Sequence, residues 1–316
     1  MKVVFFGSSD FAVAALCSLI AHHDVAAVYT QPDRPKGRHL HLSETPVKQF
    51  ARERGLPVVA CPAVGAPDAV AQLRAFQADV FAVVSFGQFL SREVLAIPRF
   101  CCLNVHASLL PRWRGAAPVN YALWHGDRET GVTVMRMNEY MDRGDILLQK
   151  MTPIAPADDA VGLLARLATL GAEALLESLG MLAGNWAVFS PQDSALATVA
   201  PRLKKEDGAI RWEESAAAIH NRVRALVPWP CAYTCLRGIF LKILKTNLVT
   251  CAVPSGSQGA PGTILGICKY QGLTVATGQG NILIQTIQPA GRRAMNAYDF
   301  VLGHQVRSGD MFGALP

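Results

Sequence analysis

The chain lacks any uninterrupted apolar run of eighteen residues, so no membrane-spanning helix is expected. Charge is sparse, with Asp, Glu, Lys and Arg together at 17%, while 51% of the side chains are hydrophobic, which excludes a disordered or collagen-like chain. The cysteines at 17, 61, 101, 102, 231, 235, 251 and 268 form no Cys-x-x-Cys pair and no four-ligand set with a histidine. They read as reduced core thiols of a cytoplasmic protein, and no metal is expected. No secretory leader is expected either, because Gly7-Ser8-Ser9-Asp10 interrupts the first apolar stretch after Lys2. The same turn lacks the second and third glycines of the dinucleotide fingerprint, which removes support for nicotinamide chemistry.

What the chain does have is an alternation of apolar runs and helical segments. Val3 to Phe6, Val25 to Tyr29, Val58 to Cys61, Val80 to Ser85 and Cys101 to His106 read as strands. Helical segments fall between them, at Asp10 to Ile20, Pro46 to Glu53 and Ala69 to Phe76, and this order predicts an α/β fold with an open, mostly parallel, Rossmann-like sheet. Gly131 to Met137 and Ile146 to Met151 add strands, and a helix from Asp158 to about Ala183 closes the first domain, residues 1–188. Residues 189–206 carry Pro191, Pro201 and Lys204-Lys205 without a clear period and read as a linker. Short runs between Ala232 and Ile287, separated by Gly, Pro and Ser, predict a smaller β-barrel domain over 207–316. That part of the chain is the basic one: residues 200–316 hold 13 Lys and Arg against 6 Asp and Glu, whereas residues 1–199 hold 17 against 18. A nearly neutral module joined to one of net +7 suggests a polyanionic partner for the second.

The chemistry concentrates at Cys101 to Pro118, CCLNVHASLLPRWRGAAP. Residues two apart on a strand share a face, so Asn104 and His106 project together at the strand's C-terminal end, where open α/β sheets place ligands. An amide and a protonated imidazole side by side can both donate to an oxygen that becomes negative. A carboxylate is needed to hold the ring, and Met141-Asp142-Arg143-Gly144-Asp145 offers two, between which composition does not select.

Asn104-Val105-His106, Ser108 to Pro118, Asp142-x-Gly144-Asp145, Thr30-Gln31-Pro32-Asp33-Arg34-Pro35, Arg224-Ala225-Leu226-x-Pro228-Trp229-Pro230 and Gln288 to Met295 resemble the methionyl-tRNA formyltransferase branch of the folate-dependent formyltransferases. The likeness runs nearly end to end. It implies transfer of a formyl group from 10-formyltetrahydrofolate to the α-amino group of initiator methionyl-tRNA, by a monomer that uses no metal. It implies Asn104, His106 and Asp142 as the catalytic trio, with the folate beside Ser108, Leu109, Leu110 and Pro111 and its pterin along Phe86, Gly87, Gln88, Phe89 and Leu90. It implies a second domain similar to an OB-fold, and tRNA contacts through Arg34, Lys36 and Arg38 in an insertion loop and through Lys204, Lys205, Arg292 and Arg293. Arg237, Lys242 and Lys245 are further candidates for phosphate contact.

The chain also departs from the pattern. His39-Leu40-His41 stands where a basic run is common, so the loop's phosphate contribution is expected to be weaker. Arg143 stands where Thr is common and is expected to point to solvent. Three other readings use parts of the same set: a formyltransferase acting on a small nucleotide or amino sugar, a folate hydrolase, and a non-catalytic tRNA-binding protein.

Overall fold

The computed structural model describes residues 1–36, 41–248 and 259–313. They pack as two compact units, the first comprising 1–118, 129–153 and 163–201, the second 119–128, 154–162 and 202–316.

The first unit opens with β1 (Lys2–Gly7), α1 (Asp10–His22) and β2 (Asp24–Thr30), followed by β3 (Arg34–Lys36) and β4 (His41–Ser43), which pair as a hairpin. Next come α2 (Pro46–Glu53), β5 (Val58–Ala60), α3 (Pro67–Ala75), β6 (Val80–Val84), α4 (Arg92–Leu95), β7 (Cys101–His106) and β8 (Arg114–Gly115). Helix α5 (Pro118–Trp124) precedes β9 (Glu129–Arg136), β10 (Ile146–Pro153) and the long α6 (Ala160–Ala183).

One seven-stranded sheet results, in the order β10-β9-β7-β6-β1-β2-β5. The five strands from β5 to β7 run parallel, and β9 and β10 add antiparallel pairs at one edge. Parallel strands buried on both faces need near-continuous apolar sequence. Val3 to Phe6 and Val80 to Phe81 meet that need, each with no exposed surface. Val4, Phe6, Tyr29, Phe81 and Phe86 fill one face, with the Phe6 ring 5.1–5.3 Å from those of Tyr29, Phe81 and Phe86. Helix α6 lies close against β7: a Cβ on Gly171 would sit 2.9 Å from Val105 Cγ1, so only glycine fits there without displacement. Val105 therefore faces α6, and the strand's alternation sends Asn104 and His106 to the opposite side.

Part of the segment read as a linker is structured within this first unit. Ser190 exchanges both backbone hydrogen bonds with Ile146, each 2.8 Å, and β11 (Val199–Ala200) runs parallel to β8.

The second unit carries α7 (Ala216–Leu226), β12 (Ala232–Leu236), β13 (Ile239–Leu248), β14 (Ile264–Cys268), β15 (Gly272–Ala276), β16 (Asn281–Pro289), β17 (Met295–Asn296), α8 (Ala297–His304) and β18 (Phe312–Gly313). Its antiparallel sheet follows the order β14-β15-β16-β13-β12-β18, with β17 pairing β16. The sheet curls until its two ends meet at a single bridge between Thr263 and Met311, flanked by Ile264 N to Asp310 O at 2.8 Å and Phe312 N to Gly262 O at 2.9 Å. Alternate residues Leu241, Ile243, Leu273, Val275, Ile282, Ile284 and Ile287 fill its interior with Trp212, Ile219 and Phe300. Residues 119–128 and 154–162 belong to this unit through named contacts. Asn120 Nδ2 donates to Ala225 O at 2.6 Å, Arg224 Nη1 reaches the Ala155 and Asp158 carbonyls at 3.2 Å each, and the Arg222 guanidinium lies 5.2 Å over the Trp124 ring.

Candidate active site

Strands β1, β2, β6 and β7 end at one edge of the parallel sheet, and the segments leaving them are tied to one another. Ser8 Oγ accepts from Gln31 N at 3.1 Å, and Gln31 Nε2 donates to Phe86 O at 3.2 Å. His106, 7% exposed, sits at the last residue of β7. Its Nε2 donates to the carbonyl of Trp113 at 2.9 Å, which assigns a proton to that nitrogen, because a carbonyl can only accept. The other nitrogen, Nδ1, lies 3.7 Å from Asp142 Oδ1, beyond hydrogen-bond length but within ion-pair range.

Asp142 is the aspartate that meets the ring. Its second carboxylate oxygen accepts from Gly115 N at 2.8 Å, and its backbone takes a left-handed φ of 52°. Asp145 turns elsewhere and pairs with Arg136. Composition did not select between the two aspartates and the resemblance implied Asp142; the β9–β10 loop brings Asp142 to the ring, with Gly144 buried directly under the Arg136 carbonyl and no room there for a Cβ. Two unit charges near 4 Å attract by about 4 kcal/mol at an effective dielectric of 20. Both groups of the His106–Asp142 pair are largely shielded from water, so an attraction of that kind, present when the ring carries its second proton, is weakly screened.

Asn104 is half-buried, and its side-chain amide has no hydrogen-bond partner among the described residues. Of the two strand residues, it is Asn104 whose donors remain free, whereas both nitrogens of His106 already face protein acceptors.

The Ser108–Pro111 segment is rigidly held. Ser108 is fully buried and donates to Arg112 O at 2.6 Å. Thr133 Oγ1 donates to Ser108 O and accepts from Leu110 N, and Gln149 Nε2 donates to Leu110 O at 2.9 Å. Leu109 and Pro111 keep partial exposure. In the Phe86–Leu90 segment, Phe86 and Leu90 are core residues at 2% and 4% exposure, while Phe89 is 67% exposed. Gly87 is exposed with φ 82°, a conformation glycine adopts without strain. Gln88 is braced in both directions, accepting from Val64 N at 2.9 Å and donating to Cys61 O at 2.7 Å.

Several residues that shape this centre were not singled out from the sequence. Gln192 Nε2 donates to the carbonyls of Asp142 at 2.9 Å and Gly144 at 2.7 Å, and its Oε1 accepts from Arg114 Nε and Nη2 at 3.1 and 2.8 Å. Arg114 is itself buried, and its pKa is lowered by desolvation and then by Arg143, against the opposing pull of Asp142. Trp113 supplies the carbonyl that holds His106, and its own N donates to Thr198 Oγ1 at 2.9 Å. The motif run from 111 to 115 contains two of these groups, but nothing in the pattern near Gln192 signals its role.

Of the candidates for tRNA contact, Arg34 is exposed at the start of β3, with Nη2 donating to Gln31 Oε1 at 3.2 Å. Lys36 ends β3, and Arg38 lies outside the described residues. In the second unit Lys204, Lys205, Arg292 and Arg293 are all exposed. Arg237, by contrast, is engaged by Asp310 through two contacts of 2.7 Å, so its charge is largely compensated. No cluster of three or more metal-ligating side chains occurs among the described residues, and no described helix is long and apolar enough to cross a membrane.

Comparison with known proteins gives two consecutive matches along the chain. A formyl transferase model matches residues 1–179, and a formyl transferase C-terminal domain model matches 202–305. The chain belongs to the formyl transferase family. It is 44% identical over 314 residues to the methionyl-tRNA formyltransferase of Geobacter metallireducens, covering 99% of each protein, and 42% identical to that of Geotalea uraniireducens, covering 99% and 98%. The fold is shared with WlaRD, a sugar 3N-formyl transferase, at a TM-score of 0.66 and 17% identity over 93% of this chain and 99% of that one. It is also shared with HypX from Aquifex aeolicus, solved with tetrahydrofolic acid, at a TM-score of 0.64 and 16% identity over 95% and 47%. Within this formyl transferase the full-length identity to the tRNA enzymes stands well above the likeness to the sugar enzymes, which is one of fold alone.

Proposed function

We propose that this formyl transferase moves the formyl group of 10-formyltetrahydrofolate onto the α-amino group of methionine carried by initiator tRNA. The observation that carries the reading is 42–44% identity to methionyl-tRNA formyltransferases over essentially the whole chain, including the basic second unit. The residues at the sheet edge fit such a donor. An exposed Phe89 beside an exposed Gly87 suits a flat heterocycle met through backbone, and the unpartnered Asn104 amide suits a formyl oxygen.

In this reading Asn104 donates to the formyl oxygen as the uncharged amine attacks the carbon and negative charge develops there. Asp142, fixed by Gly115 N, faces Nδ1 of a ring that already donates from Nε2 to the Trp113 carbonyl, so the imidazole is held in one orientation. The amine loses a proton and the departing folate nitrogen gains one, beside the His106–Asp142 pair, whose part is to orient the ring next to that exchange. The first unit supplies this chemistry, and exposed Lys204, Lys205, Arg292 and Arg293 of the second contact tRNA phosphates, in a cytoplasmic enzyme that acts as a monomer.

The test is formylation of methionyl-tRNA, with an amino sugar nucleotide and glycinamide ribonucleotide as competing acceptors. Transfer to the tRNA alone supports the reading, and transfer to a small nucleotide with the tRNA ignored overturns it. Asn104→Ala is expected to lower kcat by 10²–10³-fold, the usual effect of removing one oxyanion donor. Its melting temperature should stay near that of the parent, because the amide it removes has no partner to lose.

A further inference from the structure

The loop that carries Asp142 also borders a cavity of about 480 Å³. Its walls include Arg114, Tyr140, Met141, Arg143 and Val199, all within the first unit. The volume falls within the range of small-molecule sites. The lining is unusual for empty surface. Tyr140, Met141 and Val199 are 65%, 53% and 71% exposed, three large apolar side chains opening onto one space. Arg143 is exposed and forms no ion pair or hydrogen bond among the described residues. Arg114 is buried and donates from Nε and Nη2 to Gln192, whose amide oxygen carries no charge to balance it. The Asp142 carboxylate oxygens are turned to His106 and Gly115 N. The cavity thus combines apolar walls, an aromatic face and two cations, with no carboxylate among its lining residues.

We propose that this cavity seats a nucleoside phosphate, with the base on Tyr140, the phosphate at Arg143, and the acyl group borne by the ribose directed along Met141 toward Asp142. This inference rests on the proposed function: the nucleoside is then the 3′-terminal residue of the acceptor strand, and its methionine extends toward the reacting centre. Tyr140 offers a stacking surface that any base can use. Arg143 provides a planar, permanently charged group suited to phosphate oxygens. Met141 and Val199 supply the apolar lining that a methionine side chain would contact. Arg143 is a specificity residue in this scheme and takes no part in moving protons.

The test uses a hydrolysis-stable mimic, 3′-methionylamido-3′-deoxyadenosine, with and without a 5′-phosphate, titrated against the full chain by calorimetry at two salt concentrations. The phosphorylated mimic is expected to bind about tenfold more tightly, with that preference shrinking at high salt. Arg143→Ala should abolish the preference and Arg143→Lys should retain part of it. Tyr140→Ala should weaken both forms about tenfold, and Tyr140→Phe should restore them. Both side chains are exposed, so these variants are expected to fold. In formylation, Arg143→Ala should raise KM for methionyl-tRNA while leaving kcat within about twofold. A phosphate preference that survives Arg143→Ala overturns the assignment. Tighter binding of uridine or thymidine diphosphate than of either mimic overturns the RNA-end version. If the mimic binds as expected while the enzyme does not formylate methionyl-tRNA, the cavity assignment stands and the proposed function falls.

Discussion

Replacing Gln192 by Ala should slow the enzyme through the loop that carries Asp142, which the side chain braces. The side chain makes two hydrogen bonds from Nε2 to the carbonyls of Asp142 and Gly144 and accepts two at Oε1 from Arg114, besides a weak one from Nε2 to Met135 Sδ at 3.8 Å. Truncation leaves two loop carbonyls and two guanidinium N–H groups short of partners. A neutral hydrogen bond contributes about 1 kcal/mol net and one to a charged group about 2 kcal/mol. Taking the two neutral bonds and one charged equivalent for the shared Oε1 gives about 4 kcal/mol, of which water entering from the adjoining cavity should recover about a third. The remaining 2–3 kcal/mol is spread between global stability and the placement of Asp142. Melting temperature is expected to fall by several degrees. The kcat for methionyl-tRNA should fall 10–100-fold, with KM nearly constant, since the loop geometry matters when charge develops. Gln192→Glu separates the two sides of the bracket: it keeps the acceptor for Arg114 and loses the donor to the carbonyls. It should therefore match Ala in kcat while recovering thermal stability. Steady-state kinetics beside calorimetry read both, and a Gln192→Ala enzyme with kcat within twofold of the parent would refute the reasoning.

The two aspartates of the β9–β10 loop should behave differently. Asp142→Asn removes the charge facing His106 and is expected to cost 10²–10⁴-fold in kcat, whereas Asp145→Asn breaks a partly exposed pair with Arg136 and should change activity less than fivefold. Single-turnover rates on the two variants decide it, and equal losses would count against Asp142 as the partner of the ring. Burial pushes the Cys101 thiol up from its usual value to about 11, with Arg136 opposing, and burial raises Cys102 as well. The folded state therefore holds protons that the unfolded chain releases above pH 9. Stability is fully present below that pH and falls as pH rises from 9 toward 11, by about 2 kcal/mol for Cys101 alone. Urea denaturation at pH 8 and pH 10.5 measures the loss, and Cys101→Ala should flatten the dependence; an unchanged slope would show that the thiol is not the source.

The alternation of strand and helix up to His106 was legible because parallel strands buried on both faces require the apolar runs that the sequence displays. The pairing of Asn104 with His106 followed from strand period alone. Less was legible where long-range backbone geometry decides. Choosing Asp142 over Asp145 depends on Gly144 tucking beneath Arg136, and the engagement of His106 Nε2 depends on where the chain brings the Trp113 carbonyl. Gln192 lies in a stretch without periodicity, and its contacts are made across the fold with loop carbonyls, which leave no trace in sequence pattern. The charge count singled out the second unit correctly as the basic one, but it could not separate Arg237, bound to Asp310, from the uncompensated Arg292 and Arg293.

The way the chain weaves between its units limits how it can be cut. A fragment ending at residue 188 would be missing Gln192 and the strand formed by Val199 and Ala200. It would also strand residues 119–128 and 154–162, whose partners Ala225, Arg224 and Arg222 lie further along the chain. Neither piece is self-sufficient, so an isolated catalytic fragment should be insoluble. Grafts that exchange the basic module between relatives should place their seam after Pro201 and carry both short excursions along with the incoming half.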